Sequence, residues 1–148
     1  MRIEAAAHPP RIVLDTNAVL DWLVFRDPHI QPVVDALQAG RIRWVATAAI
    51  RLELAHMLGH ANLSRWSPDA AASLAQFDRL ATIRPAPLAD PHTRLRCSDA
   101  DDQIFIDLAL ADGARWLLTH DRALLKLARR AAPHGLQVLR PEDWAVQT

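Results

Sequence analysis

The sequence has a single cysteine, no net charge and no long apolar run, and each absence excludes a class of protein. Cys97 has no partner for a disulfide within the chain, which favours a reducing compartment. The 17 basic and 17 acidic residues cancel, so the overall charge gives no sign of nucleic-acid binding, although a local basic patch is still allowed. No apolar run is long enough to cross a membrane, which excludes a membrane-spanning protein.

The N-terminal stretch, residues 1–10, lacks the apolar core of a secretion signal. We interpret it as a flexible leader and expect a cytoplasmic protein. The rest, residues 11–148, contains no repeat and no internal linker, and its 51% hydrophobic composition suits one globular domain with a sizeable core. The sequence therefore predicts a single domain after the leader.

Short apolar runs alternate with segments of helical periodicity along this domain. Such alternation is typical of a three-layer α/β/α fold with a mostly parallel sheet, here of about five strands. The predicted strands cover residues 12–14, 41–45, 81–84, 116–118 and 136–139. The predicted helices cover residues 18–25, 30–39, 48–58, 70–80, 99–112 and 123–132.

The first strand ends at a carboxylate, Asp15, followed by Thr16 and Asn17. Ile12 to Leu14 form an unbroken apolar run, as expected of a parallel strand covered on both faces. Thr16 and Asn17 are good N-caps for the next helix, as Thr47, Ser67 and Ser98 are for later ones. Asp15 then lies at the carboxyl end of the strand, where open α/β sheets bind ligands. From this segment alone, a capping role for Asp15 itself is the simpler explanation.

Four carboxylates occupy similar places relative to the predicted elements. If the fourth strand pairs with the first on the side away from the second, the ends of these two strands meet at a switch point. Ionised carboxylates in one crevice repel each other, and a divalent cation removes that penalty. Hard oxygen ligands suit Mg²⁺ or Mn²⁺ better than zinc. The four residues are Asp15, Glu53, Asp102 and Asp121.

Each acid also has an ordinary structural explanation. Asp99, Asp101 and Asp102 begin a helix, where the dipole favours carboxylates. Glu53 is explained by a solvated helix position, and Asp121 by a helix cap. The matching placement of four acids, rather than any one of them, indicates metal-dependent phosphodiester hydrolysis.

At these residues the chain resembles the PIN domain family, metal-dependent ribonucleases that include many bacterial toxins of toxin–antitoxin pairs. The opening segment with Phe25 and Arg26, and the paired Asp101 and Asp102, are most similar to the PIN-type toxins, such as the VapC-like toxins. The resemblance spans residues 11–144. The matching segments are residues 13–17, Glu53, residues 99–105 and residues 117–121.

The resemblance implies that the four acids hold Mg²⁺ or Mn²⁺ and carry catalysis. Asp102 is preferred to Asp101 because it precedes Gly113 by eleven residues, the spacing usual in the family. The implied activity is endoribonuclease cleavage by metal-activated water, with RNA as substrate and an antitoxin as partner. The implied supporting residues, which position the acids, are Thr16, Asn17, Asp99, Asp101 and Thr119.

Basic side chains suggest where RNA would bind. Arg26 follows the first helix, and Arg122 and Lys126 share a helix face with residues 129–130. A solvated helix face is the ordinary explanation of this pattern. For His120, the ordinary explanation is a solvated position in a loop.

Two other functions stay open. One is a PIN-like binding module with little activity, whose Ala-rich helix 70–80 would form a homodimer or bind another protein. The other is a phosphatase with Asp15 as nucleophile. It ranks last because Thr16 and Asn17 do not supply the expected phosphate-binding pattern.

Overall fold

The computed structural model describes residues 8–88 and 95–144, which form a parallel sheet with helices packed against it. Most of the predicted leader, residues 89–94 and the last four residues lie outside this description. The strands are β1 (Arg11–Leu14), β2 (Arg43–Ala46), β3 (Ala81–Ile83), β4 (Trp116–Leu118) and β5 (Gln137–Leu139). The α-helices are α1 (Thr16–Leu23), α2 (Gln31–Gln38), α3 (Ala48–Leu58), α4 (Ala70–Leu80), α5 (Gln103–Ala111), α6 (Arg122–Leu125) and α7 (Ala128–Ala131).

The sheet has the strand order β3-β2-β1-β4-β5, and every pairing is parallel. β4 therefore lies beside β1 on the side away from β2, with Leu14 opposite Leu118 at the carboxyl ends. This confirms the switch point between the first and fourth strands. The fold brings the segments after Leu14 and Leu118 to one crevice.

Both faces of the sheet are covered. Ile12, Val13 and Leu14 are at most 1% exposed, and successive strand side chains point to opposite faces. On one face the Trp44 ring packs edge-on against Trp22 and Phe77, with ring centroids 5.8 and 4.8 Å apart. Helices thus lie on both sides of the sheet, and the α/β prediction with a parallel central sheet is confirmed.

Aspartates cap α1 and α4: Asp15, in agreement with the simpler explanation of that residue, and Asp69, although α4 covers residues 70–80 as predicted. Asp15 is the N-cap of α1 and accepts a hydrogen bond from the Ala18 amide, so Thr16 and Asn17 lie inside the helix. Asp69 caps α4 in place of Ser67. A carboxylate accepts amide hydrogen bonds as well as a hydroxyl does, and the helix dipole favours its charge. Thr47 caps α3 as predicted.

The region predicted as helix 99–112 begins one residue later, as a 3₁₀ turn over Ala100–Asp102 capped by Asp99 rather than Ser98. The α-helix proper, α5, follows from Gln103. Along α5, Ile106 is buried and Ala111 is exposed.

The predicted basic helix 123–132 is also wrong as one helix. It forms two short helices, α6 and α7, followed by a 3₁₀ turn over Ala132–His134. Arg122 and Lys126 are exposed, but the break after α6 removes the continuous face expected from helical spacing. Within residues 8–88 and 95–144, no helix is both long and apolar enough to span a membrane.

Candidate metal centre

Asp15 occupies the crevice between the ends of β1 and β4, and it is only 3% exposed. Its backbone amide donates to the Leu118 carbonyl at 3.2 Å, which continues the strand pairing by one residue. Its Oδ1 accepts from the Ala18 amide at 2.8 Å, and its Oδ2 accepts from the Thr119 hydroxyl at 2.5 Å. Burial raises the pKa of Asp15 from 3.8 to about 6, although these two hydrogen bonds oppose the shift.

Three further carboxylates converge beside it. Asp99, Asp102 and Asp121 each place one oxygen within 4.8 Å of the others. The Asp102 Oδ2 atom is buried, and no hydrogen-bond donor reaches it from the part of the chain that the structure describes. Burial raises the pKa of Asp102, and a hydrogen bond and repulsion from Asp121 raise it further, as does the charge of Asp15. We call Asp15 and these three residues the acid cluster.

Thr119 links Asp15 to Asp121. The Asp121 amide donates to the Thr119 hydroxyl oxygen at 2.9 Å, while that hydroxyl donates to Asp15. The Asp121 carboxylate accepts from the Ala123 amide at 2.7 Å and so caps α6. Asp121 therefore has two roles. It caps α6, and its carboxylate also faces the other acids of the cluster.

Gln103 fixes the segment that carries Asp99, and the sequence analysis missed it. Its side-chain amide accepts from the Cys97 amide at 2.8 Å. It also donates to the Leu95 carbonyl at 2.6 Å and to the Asp107 carboxylate at 2.9 Å. Asp99 follows two residues after Cys97, so these bonds hold its backbone against α5.

Most of the chain, including the segments that carry these acids, matches a known family. A family model for the PIN domain matches residues 11–123. The chain belongs to the PIN domain family. PIN domains are generally nucleases, which hydrolyse phosphodiester bonds of nucleic acids. A search of curated proteins finds no match to the chain.

The remaining acids predicted for this PIN domain lie in different settings. Glu53, on α3, is half-buried and accepts a hydrogen bond from the Thr16 hydroxyl, and it is outside the three-acid group of Asp99, Asp102 and Asp121. Asp101 is exposed, and its backbone amide donates to Asp99 at 3.0 Å. The structure thus brings Asp99, Asp102 and Asp121 together and leaves Asp15 and Glu53 outside that group. Thr119 links Asp15 to Asp121, and Glu53 accepts from Thr16, the residue after Asp15.

The other predicted residues lie at the surface. Asn17 is exposed on the first turn of α1. Arg26, Arg122 and Lys126 are exposed as well, so their side chains are accessible to a ligand.

His120 is a second residue that the sequence analysis missed, since a solvated loop position was expected for it. Its Nε2 lies 2.8 Å from Asp21 Oδ2 on α1, and its Nδ1 lies 3.9 Å from Glu142. The ring is 35% exposed. Because Asp21 and His120 are 99 residues apart in sequence, no local pattern could have paired them.

The acid cluster fits a divalent cation. All its donors are carboxylate oxygens, the ligands that Mg²⁺ and Mn²⁺ prefer. Without a cation, Asp102 is left with a buried oxygen that has no donor among the described residues and with like charges beside it. A bound cation would supply the missing partner and offset the repulsion.

Proposed function

We propose that this PIN domain is an endoribonuclease that depends on Mg²⁺ or Mn²⁺. The observation that supports it most is the buried, unpaired oxygen of Asp102 within 4.8 Å of oxygens from Asp99 and Asp121. Like charges brought together at this cost are typical of sites that bind a cation, and strongly shifted carboxylates in a crevice are typical of functional sites. RNA as the substrate rests on the resemblance of the sequence motifs to the ribonucleases of the family.

We assign the catalytic and metal-binding roles to Asp15, Glu53, Asp102 and Asp121, and we add Asp99 as a further ligand. A divalent cation held by these residues would supply charge neutralisation at the scissile phosphate and the leaving oxygen and would lower the pKa of the attacking water. The chain's own residues hold the carboxylates for that task. The Thr119 hydroxyl orients Asp15, and the Thr16 hydroxyl orients Glu53.

The test is cleavage of labelled single-stranded RNA by the purified chain with Mg²⁺, with Mn²⁺ and with EDTA. Asp102→Asn keeps the size of the side chain but removes its charge, and we expect a loss greater than the roughly 10–100-fold typical of an outer partner of a metal site. Asp35→Asn is the matched control, because Asp35 is an exposed aspartate on α2 that pairs with Gln31. Cleavage at parental rate by Asp102→Asn, or equal cleavage in EDTA, would contradict the proposal.

We further propose that the chain is the toxin of a toxin–antitoxin pair, acts in the cytoplasm and forms a homodimer. The similarity of residues 13–17 and of the Asp101–Asp102 pair to VapC-like toxins supports the toxin role. Induced expression should arrest bacterial growth for the parent but not for Asp102→Asn, and co-expression of the neighbouring small reading frame should relieve the arrest. Calibrated light scattering of the purified chain tests the homodimer.

The second candidate is a binding module with little activity of its own. The exposed alanines of α4, at positions 70, 71, 72 and 75, favour it, because they leave a flat apolar helix surface. If the chain is a binding module, replacing Ala71 and Ala75 with glutamate should abolish partner binding or dimerisation. If it is a ribonuclease, the same replacement should leave RNA cleavage unchanged. The two outcomes separate the candidates.

A further inference from the structure

A groove of about 590 Å³ opens between the end of α1 and the segment that leads into α4. We call it the Trp66 groove. Its walls include Trp22, Arg26 and Gln31 on one side and Trp66, Ser67 and Gln76 on the other. Aromatic rings, amides, hydroxyls and a guanidinium therefore face one open space.

The Trp66 ring suits stacking against a flat ligand. It is 47% exposed, although tryptophan is usually well buried. Phe25 supports it edge-on with ring centroids 4.9 Å apart, and the Arg65 guanidinium lies 5.4 Å from the ring centroid. An exposed aromatic ring with a guanidinium beside it is the combination that binds single-stranded nucleic acid, since bases stack on the ring and phosphates pair with the cation.

The groove lining carries one cation, Arg26, and two carboxylates, Asp27 and Asp69. Arg26 is exposed, whereas the two acids of the lining are engaged in helix caps. Asp27 Oδ1 accepts from the backbone amide of His29 at 2.9 Å and lies 2.9 Å from its ring. Asp69 accepts from the Ala72 amide at 3.0 Å. Arg26 is the cation of the lining that can pair with phosphate, and Arg65, outside the lining, lies over the Trp66 ring.

The backbone of the groove is unusual. Arg26 has φ 55° and Ser67 has φ 45°, and these are the non-glycine residues with positive φ in the described part of the chain. A left-handed conformation is strained for a residue with a Cβ, and such strain concentrates at functional sites. Both residues line the Trp66 groove, one on each side.

The groove is connected to the acid cluster. The Asp27 amide, on the groove wall, donates to the Asp21 carbonyl at 2.8 Å. The Asp21 carboxylate in turn lies 2.8 Å from His120, the residue before Asp121. Two hydrogen bonds therefore join the groove wall to the turn that carries a ligand of the proposed metal.

We propose that the Trp66 groove binds single-stranded RNA outside the cleavage site, with a base stacked on Trp66 and a phosphate paired with Arg26. This inference rests on the proposed ribonuclease function and extends it to a second contact with the same substrate. The groove then helps to select unpaired RNA, because a paired base presents no free face to the Trp66 ring.

The first test measures binding of fluorescein-labelled single-stranded RNA by anisotropy in the Asp102→Asn background, where cleavage is blocked. Trp66→Leu keeps an apolar side chain against Phe25 but removes the stacking ring. We expect it to weaken binding about 5- to 150-fold, the range for loss of one stacked base, whereas Trp66→Phe retains most of the affinity. Arg26→Ala should weaken binding. It should also reduce, by about one, the slope of the logarithm of the binding constant against the logarithm of the salt concentration.

Leu52→Ala and Arg43→Ala are the matched controls, because Leu52 is 72% exposed on α3 and Arg43 is exposed at the amino end of β2, whereas the acid cluster lies at the carboxyl ends of the strands. In the active protein, Trp66→Leu should raise KM with little change in kcat, since Trp66 does not touch the reacting phosphate. If Trp66 only stabilised the fold, Trp66→Leu would instead lower kcat and the melting temperature.

The outcomes separate this inference from the proposed function. Cleavage of RNA by the parent together with unchanged Kd and KM for Trp66→Leu overturns the groove assignment and leaves the ribonuclease standing. RNA binding that depends on Trp66, in a parent that does not cleave RNA, supports the groove assignment and overturns the proposed ribonuclease function. A groove that binds a protein partner would show Trp66→Leu losing that partner while RNA affinity stays at the parental value, and this result also overturns the inference.

Discussion

Thr119 donates a hydrogen bond to Asp15 across the β1–β4 pairing, although the two residues are 104 positions apart. The same hydroxyl oxygen accepts from the Asp121 amide. Thr119, which is fully buried, therefore sets the relative position of Asp15 and Asp121, two residues assigned to the metal.

Replacing Thr119 with valine should disturb both contacts with little change in shape. Asp15 loses its hydroxyl donor and the Asp121 amide loses its acceptor, each at a cost of about 1–3 kcal/mol to the free energy of unfolding. Metal affinity, measured by calorimetric titration, should fall about 10- to 100-fold. Thr119→Ser keeps the hydroxyl and should restore most of it. A valine variant with parental metal affinity would show that Thr119 does not position the acids.

Asp102→Asn should change metal-free and metal-bound stability in opposite directions. In EDTA the variant should melt about 2–5 °C above the parent, because it removes a carboxylate whose charged form is disfavoured by burial and by Asp121. With metal at 100 times Kd, the parent should gain about 2.7 kcal/mol and the variant almost nothing. Differential scanning fluorimetry of parent, Asp102→Asn and Asp35→Asn measures both effects. A variant stabilised by metal as strongly as the parent would contradict the assignment.

The stability of the metal-free protein should rise as the pH falls. The pKa of Asp15 is about 6 in the fold and 3.8 ordinarily, so folding is penalised above pH 6, where the group is ionised in both states. The penalty disappears below about pH 4, and its full size is about 3 kcal/mol at about 1.4 kcal/mol per pKa unit.

The measurement is urea unfolding in EDTA between pH 5 and 8, for the parent and for Asp15→Asn, which lacks the titrating group. The free energy of unfolding of the parent minus that of Asp15→Asn should decrease with increasing pH. With saturating Mg²⁺ this pH trend should weaken or reverse, because the cation competes with protons for the same oxygens. A difference independent of pH in EDTA would mean that Asp15 is ionised at little cost.

Gln103→Leu tests the support of Asp99. The substitution removes the bonds to the Cys97 amide and the Leu95 carbonyl, so we expect a loss of about 1–3 kcal/mol and weaker metal binding. Amide hydrogen exchange should accelerate at residues 97–99 more than in the central strand β1. Equal protection in parent and variant would show that other contacts fix this segment. Gln31→Leu is the control, since Gln31 is an exposed glutamine that bonds Asp35 on α2.

The sequence was sufficient where local pattern and chain topology decide the structure. The unbroken run of Ile12 to Leu14 predicted a central strand, and the observed β1–β4 pairing brings Asp15 and Asp121 to one crevice as expected. Helix starts were less predictable, because Asp15, Asp69 and Asp99 compete with neighbouring Ser, Thr and Asn for the same cap. Cap propensities differ too little to decide such cases.

The contacts between distant side chains were beyond the sequence. Glu53 meets Thr16 over a separation of 37 residues, and His120 meets Asp21 over 99. Such pairs depend on how α1 and α3 pack and on the turn after β4, which periodicity does not encode. Asp99 was expected only as a helper, because its place in the first turn of a helix already explained it. The metal ligands themselves stay a prediction until the titrations above are done.

The pairing of β1 with β4 also sets when activity can appear during folding. Asp15 directly follows the first strand, whereas Asp99, Asp102 and Asp121 come from the last part of the matched region, and the β1–β4 ladder brings Asp15 and Asp121 near each other. Contacts between such distant segments form late, after the cost of closing a long loop has been met. No early intermediate should cut RNA, and recovery of cleavage after refolding should follow the burial of Trp116 on β4 rather than the formation of helices.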